Sequence, residues 1–481
     1  MSNIDTYIKA LSDADAALEI VTDQDACKAY VNKNYSRIPA AAPKAIVYPT
    51  TAEQVERIVE LANENRTPLV VRSSQGNTTY NGSSVPAEGV DAVAVNLSKM
   101  TKIMHIDTKN GTAIIEAGVT YKQLNEALKE KGCYVEHPLQ VRAEKSVLAS
   151  LLDREPVMTP KHCWDVPDPL ACIELYMGNG SVFRTGSAAG PGTLEEMLEA
   201  GCAINQPQGP YTLDLVRVMS GAQGTLGIAT WCSVKIRPIG SVCELVYAQS
   251  DDIDALAAYE EQVVRRRLGE NTFIVNKTAF TQITGIDADI KKWIMVTDVR
   301  GNRYFPERYV EDQIYDMSSL AKDAGLELVK EIPGVCNKTV QACIDEIAAS
   351  DDYWKDRRGT DRVDQFFLST LDRVSIYSTI AEKAAEKCGL AAEEISIYVQ
   401  PCMMGRNCHI EFLIPVKADQ AAELEMMMGI CMLDNKAFFS RPYGPMTEKI
   451  YAKSTTQTPF MVHIKNFFDE NRIMNPGKLV Y

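Results

Sequence analysis

No two cysteines in this chain stand close enough to form a CxxC pair. All 13 are scattered singly between Cys27 and Cys431, and Cys402 and Cys408 are the nearest two. Neither a zinc ribbon nor a ferredoxin-type cluster has its usual spacing, and no metal site is expected. The expected state is reduced thiols packed as small hydrophobes. No GxGxxG joins a strand to a helix, which excludes a dinucleotide fold of that type. No apolar run approaches the ~18 residues of a membrane span. The opening MSNIDTYIKALSDADAALEI carries acids where a secretion signal needs a basic start, so a cytoplasmic protein is expected. There is no basic block either: net charge is −14 with Lys and Arg dispersed among the acids, which argues against a nucleic-acid partner.

What is present is an ordinary globular composition, 46% hydrophobic and 24% charged, over 481 residues. That length exceeds a single core. Residues 1–42 read as helical with an Ala-rich tail. AIVYP (45–49) is a strand, and Thr50 with Glu53 reads as a capping box. Val55, Ile58, Val59 and Ala62 then share a helical face. PLVVR (68–72) is the next strand. Strands follow at 91–97 and 102–107, and Asn110-Gly111 signals a hairpin. Thr120 with Gln123 caps a helix that ends near Gly132, and 171–186 is a second hairpin turning at Gly178-Asn179-Gly180. Beyond about residue 240, helical patterns at 251–268, 307–325, 336–349 and 376–388 alternate with short apolar strands. This is an α+β pattern in at least two units.

Two segments carry the chemistry. RSSQGNTTYNGSS (72–84) sets small and hydroxyl residues directly after a buried strand, where backbone N–H groups can form an anion-binding nest. GAQGTLGIAT (221–230) spaces Gly221, Gly224 and Gly227 three apart before a strand, which lets backbone approach a ligand closely.

Together, and in this order, the segments resemble the vanillyl-alcohol-oxidase/p-cresol-methylhydroxylase superfamily. The likeness runs from PKAIVYPTTAEQVERIVELANENRTPLVVR through the 72–84 loop and EAGVTYKQLNEAL to GAQGTLGIATWCSVKIRP, with NPGK (475–478) fitting the family's C-terminal ending. The resemblance implies a two-subdomain PCMH-type FAD-binding domain over 43–240 and an α+β cap domain for the substrate over 241–445. It implies an N-terminal helical segment over 1–42 and a tail, 446–481, returning to the FAD domain. It implies FAD as cofactor. Arg72, Ser73, Ser74, Gln75, Gly76, Asn77, Thr78 and Thr79 would lie along the pyrophosphate, and Gly221, Gly224, Gly227 and Ile228 along the adenine half. Ser146, Thr159, Pro160, His162 and Lys478 are expected to complete the cofactor site.

KSVLASLLDREPVMTPKHCW (145–164) is similar to the S-V-L, Arg, Thr-Pro and Trp pattern of the phenol-oxidising branch. Departures accompany it. The loop has no His for the covalent attachment seen in the berberine-bridge subgroup. The branch's acid would fall near Val141-Arg142, where no carboxylate stands although Glu136 and Glu144 are close. Met158 replaces an expected tyrosine.

The chemistry implied is hydride transfer from a C–H bond to the flavin, with an arginine beside a tyrosine stabilising a phenolate. Arg441 and Tyr443 in SRPYG are the expected pair, with Tyr80 from the flavin loop and His409 in VQPCMMGRNCHIEF. His105 and His463 are expected to be structural, the latter packed in an amphipathic helix. The activity expected is an alcohol or alkylphenol dehydrogenase; a 2-hydroxy-acid dehydrogenase and an electron-transfer subunit are the alternatives. Its partners would be a small-molecule substrate, an electron-accepting protein and a second copy of the chain in a homodimer or larger assembly.

Overall fold

The computed structural model describes residues 3–31, 33–34, 39–76, 78–79, 82–163, 165, 167–209, 214–301, 304–349, 352–359 and 361–481. β-Branched and small apolar residues build the first sheet. Strands Ala45–Tyr48, Val93–Asn96 and Leu69–Arg72 run parallel, and Glu19–Val21 joins the edge antiparallel. Helix Ala52–Asn65 packs on this unit through Val55, Ile58, Val59 and Ala62, all essentially inaccessible. Its cap falls one residue later than expected. Thr51 Oγ1 accepts from the Gln54 N–H, and the Gln54 side chain accepts from the Thr50 N–H at 2.7 Å.

The segment before residue 42 is not helical throughout. After helix Asn3–Ala14 the chain turns into strand Glu19–Val21, where Ile20 and Val21 pair with Val47 and Ile46. Pairing with an open sheet edge outweighs the weak local helical preference of β-branched residues.

A second, antiparallel sheet orders its strands Val182–Arg184, Leu170–Met177, Gly227–Lys235, Thr112–Glu116 and Ile103–Asp107. The Asn110-Gly111 turn is present with Gly111 at φ +68°, and the Thr120/Gln123 capping box opens helix Tyr121–Lys129. The two sheets share one apolar core.

The cap is a seven-stranded antiparallel sheet ordered Leu328–Val329, Val242–Ser250, Trp293–Gly301, Thr272–Asn276, Ser396–Cys402, Asn407–Pro415 and Arg362–Ser369. Alternation divides its two faces. Val363, Phe367, Val399, Cys408, Ile410 and Phe412 point outward, into a core closed by helices Ile253–Arg265, Pro306–Asp323, Val374–Lys387 and Ala418–Asp434. The opposite face meets the first domain, and Leu139 and Met158 of that domain belong to its apolar cluster. A short bridge ties the two units, with the Ala143 N–H on Ala348 O and the Ala348 N–H on Val141 O, both at 2.9 Å.

The chain then returns. Residues 473–475 run beside strand Leu69–Arg72, the Leu69 N–H donating to Ile473 O at 2.7 Å and the Asn475 N–H to Leu69 O at 2.8 Å. Buried Lys465 pins this tail, donating to Thr225 O and Met474 O. Among the described residues no helix is long and apolar enough to cross a membrane.

Candidate active site

Between the first domain and the inner face of the cap lies a cavity. One side is built from backbone. At the end of strand Leu69–Arg72 the chain leaves the sheet, and Arg72, Ser73, Ser74, Ser83 and Ser84 line the space. This loop is stitched to the start of helix Val147–Leu152. Ser74 Oγ accepts the Ser146 N–H at 3.1 Å, and Ser146 Oγ caps the helix and donates to Ala117 O at 2.6 Å. The Gln75 N–H donates to Glu144 O at 2.9 Å. Gly76 sits at φ +72°.

Gln223, Gly224 and Gly227 face the same cavity. Gly224 is at φ +70°, and a Cβ on Gly227 would stand 2.5 Å from Tyr176 O. Asn475 joins the two loops: its Nδ2 donates to Ser83 O at 2.8 Å and Gln223 O at 2.6 Å.

These residues fit an FAD. The glycine backbone leaves a surface free of side chains for close approach. Arg72 is buried with its guanidinium 3.8 Å from the Tyr30 ring centroid, and its Nε has no hydrogen-bond partner. A buried donor left in that state costs about 1–3 kcal/mol, which an anionic group would offset. Lys478 Nζ is likewise buried without a partner, and burial lowers its pKa from 10.5 to about 8.

The other side is built from side chains of the cap. In the antiparallel register Phe366, Glu411 and Tyr398 stand in one row and His409 in the next. With Asp364, all five face the cavity. Trp354 and Lys355, from the turn Trp354–Asp356, close the end. Lys355 pairs with Glu411 and lies 3.6 Å from Asp364. Burial raises the Asp364 pKa to about 6. Burial pushes the Glu411 carboxyl the same way, but the Lys355 ammonium overrides it and the net shift is downward. His409 lies 3.3 Å from Glu411, and burial with the nearby Arg441 charge holds its pKa well below 6.5.

Two further carboxylates follow helix Val147–Leu152. Lys145 holds Asp153 at 3.3 Å and Glu155 at 3.0 Å. Burial opposes ionisation of Glu155, yet Lys145 and Arg441 bring its pKa down to about 2.

Arg441 makes no ion pair among the described residues, although the Asp153, Glu155 and Glu411 carboxylates all feel its charge. It is 8% exposed, lines the cavity, and holds its guanidinium 4.2 Å from the Phe366 ring centroid. Among the described residues it makes no hydrogen bond or ion pair. Tyr443 meets the same ring edge-on at 6.2 Å, and His409 lies 5.8 Å from it. Phe366 therefore gathers Arg441, Tyr443 and His409, although nothing in its sequence context marks it.

Of the expected site residues, Arg72, Ser73, Ser74, Gly224, Gly227, His409 and Arg441 line the cavity. Gln75, Gly76, Ser146, Ile228, Tyr443 and Lys478 do not, though Gln75, Gly76 and Ser146 support loops that do. Gly221 also stands off it. A Cβ at Gly221 would lie 3.1 Å from Arg154 Cζ, so the glycine makes room for an arginine, not a ligand. Thr159, Pro160 and His162 are placed at the domain contact: Thr159 donates to Asn271 at 2.8 Å and His162 lies 3.0 Å from Glu270. His463 is exposed on helix Gln457–Phe468, not packed as expected, and His105 is exposed on an outer strand. Asn77 and Tyr80 lie outside the described residues, and only the backbone of Thr78 and Thr79 is described.

The family model for an FAD binding domain matches residues 43–185. Over 226 residues the chain is 25% identical to the glycolate oxidase subunit GlcD of Bacillus subtilis (strain 168), covering 47% of this chain and 44% of that protein. Over 158 residues it is 33% identical to the 4-cresol dehydrogenase [hydroxylating] flavoprotein subunit of Pseudomonas putida, covering 32% and 29%. The matches thus span less than half the length of these two relatives. The fold is that of a substrate-bound p-cresol methylhydroxylase structure, with a TM-score of 0.81 at 17% identity over 99% of this chain and 97% of the other. Cradle, family model and fold together define an FAD-binding flavoprotein. Residues 43–185 match an FAD binding domain, and the chain as a whole shares the fold of that solved structure.

Proposed function

We propose that this protein is an FAD-dependent oxidoreductase that oxidises a small alcohol or alkylphenol and passes the electrons to a separate acceptor. The observation that carries the reading is Arg441, a buried guanidinium in no ion pair among the described residues, facing the cavity from an aromatic wall. A buried cation in that state favours an anionic ligand strongly. Phe366, Tyr398, Trp354 and Tyr353 offer flat apolar surface beside it, which suits an aromatic ring. Arg441 would lower the pKa of a bound phenol and hold the phenolate. Asp364 and Glu411, sharing Lys355, provide a carboxyl that can hold a proton near neutral pH. FAD, when bound, supplies the hydride acceptor. A separate acceptor is consistent with the relative named as a flavoprotein subunit.

Arg441 would take a carboxylate equally well, and the likeness to a glycolate oxidase subunit favours a 2-hydroxy acid as the second reading. Anaerobic titration of the FAD-loaded protein separates them. Bleaching by 4-alkylphenols or aromatic alcohols supports the first reading, and bleaching by D- or L-2-hydroxy acids alone supports the second. No bleaching by any of them removes both.

A further inference from the structure

Among the described residues Arg441 has no hydrogen bond of its own, so its position depends on the backbone that carries it. That backbone is gripped on both sides from the other domain. Arg154 Nη1 donates to Ser440 O at 3.1 Å, and Gln223 Nε2 donates to Pro442 O at 2.7 Å. The two acceptors are the carbonyls immediately before and after Arg441.

Both donors are themselves held in unusual backbone. Arg154 has φ +58° and Gln223 φ +53°, a region that costs a non-glycine residue about 1–3 kcal/mol. Arg154 leaves helix Val147–Leu152 in this conformation, with Nε on Ser220 Oγ at 3.0 Å and Nη2 donating to Ser220 O. Gly221, at φ +79°, has no side chain to block it. Gln223 stands in the glycine segment itself, beside Gly224, and its own carbonyl accepts from Asn475. The segment that cradles the cofactor therefore also holds the segment bearing the anion-binding arginine.

We infer that Arg154 and Gln223 are positioning residues for Arg441: they fix its guanidinium against the Phe366 ring, and so set the protein's preference for an anionic over a neutral ligand. This rests on the reading of Arg441 as an anion site. A misplacement of about 1 Å can cost up to ~10²-fold in a directional interaction, and two backbone hydrogen bonds are what prevents it here.

The test uses benzoate and its neutral isostere benzamide, titrated against the FAD-loaded protein by flavin difference absorbance. Wild type should bind benzoate more tightly. With each titration normalised to bound flavin, Arg154→Met and Gln223→Leu should each lower the benzoate-to-benzamide affinity ratio by about tenfold. Arg154→Lys should recover part of the ratio, and Arg441→Ala should abolish the preference. A purely structural role would weaken both ligands together, and that result would overturn the inference. So would an unchanged ratio in Gln223→Leu, which stands even if Arg154→Met fails to fold. If Arg441→Ala leaves the ratio intact, or wild type shows no preference, the anion-site reading itself falls. A loss in Arg441→Ala alone sinks only the positioning role.

Discussion

The two walls of the cavity are made of different material. The first-domain wall is small side chains and main chain where the glycine and serine loops and Arg72 form it, with a shape set by positive φ angles and a strand that stops. It carries the Lys145, Asp153 and Glu155 cluster only beyond those loops. The cap wall is almost wholly side chain: Lys355, Asp364 and Glu411 form a partly buried ionic group with His409 against it, and Phe366 and Arg441 stand beside it. A wall of main chain suits a ligand that never changes. A wall of titratable side chains suits a ligand that must be selected and deprotonated. The division implies that damage to the first wall removes the cofactor, whereas damage to the second removes the substrate and leaves the cofactor in place.

The largest effect should come from breaking the first wall. Gly227→Val would drive a Cβ to 2.5 Å from Tyr176 O, inside the pairing of strands Leu170–Met177 and Gly227–Lys235. The expected outcome is a loss of more than about 4 kcal/mol of stability and no retained FAD, read by thermal unfolding and flavin absorbance. Next is the second wall. Arg441→Ala should keep FAD and fold but slow flavin reduction by on the order of 10²-fold, about 3 kcal/mol. Loss of FAD in that variant would erase the distinction between the walls.

That distinction also governs what is legible in the sequence. The cofactor cradle lies in two continuous runs, 72–84 and 221–230, whose glycine and hydroxyl content is its own signal. The capping box at Thr120 and the hairpin at Asn110-Gly111 are local in the same way. The cap wall has no such run. Asp364, Phe366, Tyr398, His409 and Glu411 come from three strands and meet only through register, so Phe366 carries no local mark. Helix Ala418–Asp434 is equally hard to read, because LEMMMGICML is apolar nearly all round and leaves no stripe. Thr159 and His162 follow the family pattern, but a hydrogen bond between His162 and Glu270 and one from Thr159 to Asn271 place them at the domain contact.

A smaller, pH-dependent effect sharpens the comparison. Burial holds the Asp364 pKa near 6, above its ordinary value. Its proton therefore favours the folded state below about pH 4, and that contribution is lost as pH rises through 6. Asp364→Asn should gain stability relative to wild type between pH 4 and 7, and should remove an apparent pKa near 6 from the rate of flavin reduction. Glu155 has the opposite sign. With its pKa near 2, its pairing with Lys145 stabilises the fold above about pH 4.5 and is lost as pH falls towards 2. Glu155→Gln should cost roughly 1–2 kcal/mol at pH 7 and nothing at pH 2, measured by denaturant unfolding. A deficit that persists at pH 2 would assign Glu155 a packing role instead.

The most direct test of the account is anaerobic stopped-flow reduction of FAD-loaded wild type and Arg441→Ala by a 4-alkylphenol and by D- and L-lactate. The account predicts that one of these classes bleaches wild-type flavin, and that the variant, with the same flavin content, is slower by about two orders of magnitude. Equal rates in the two proteins would contradict it.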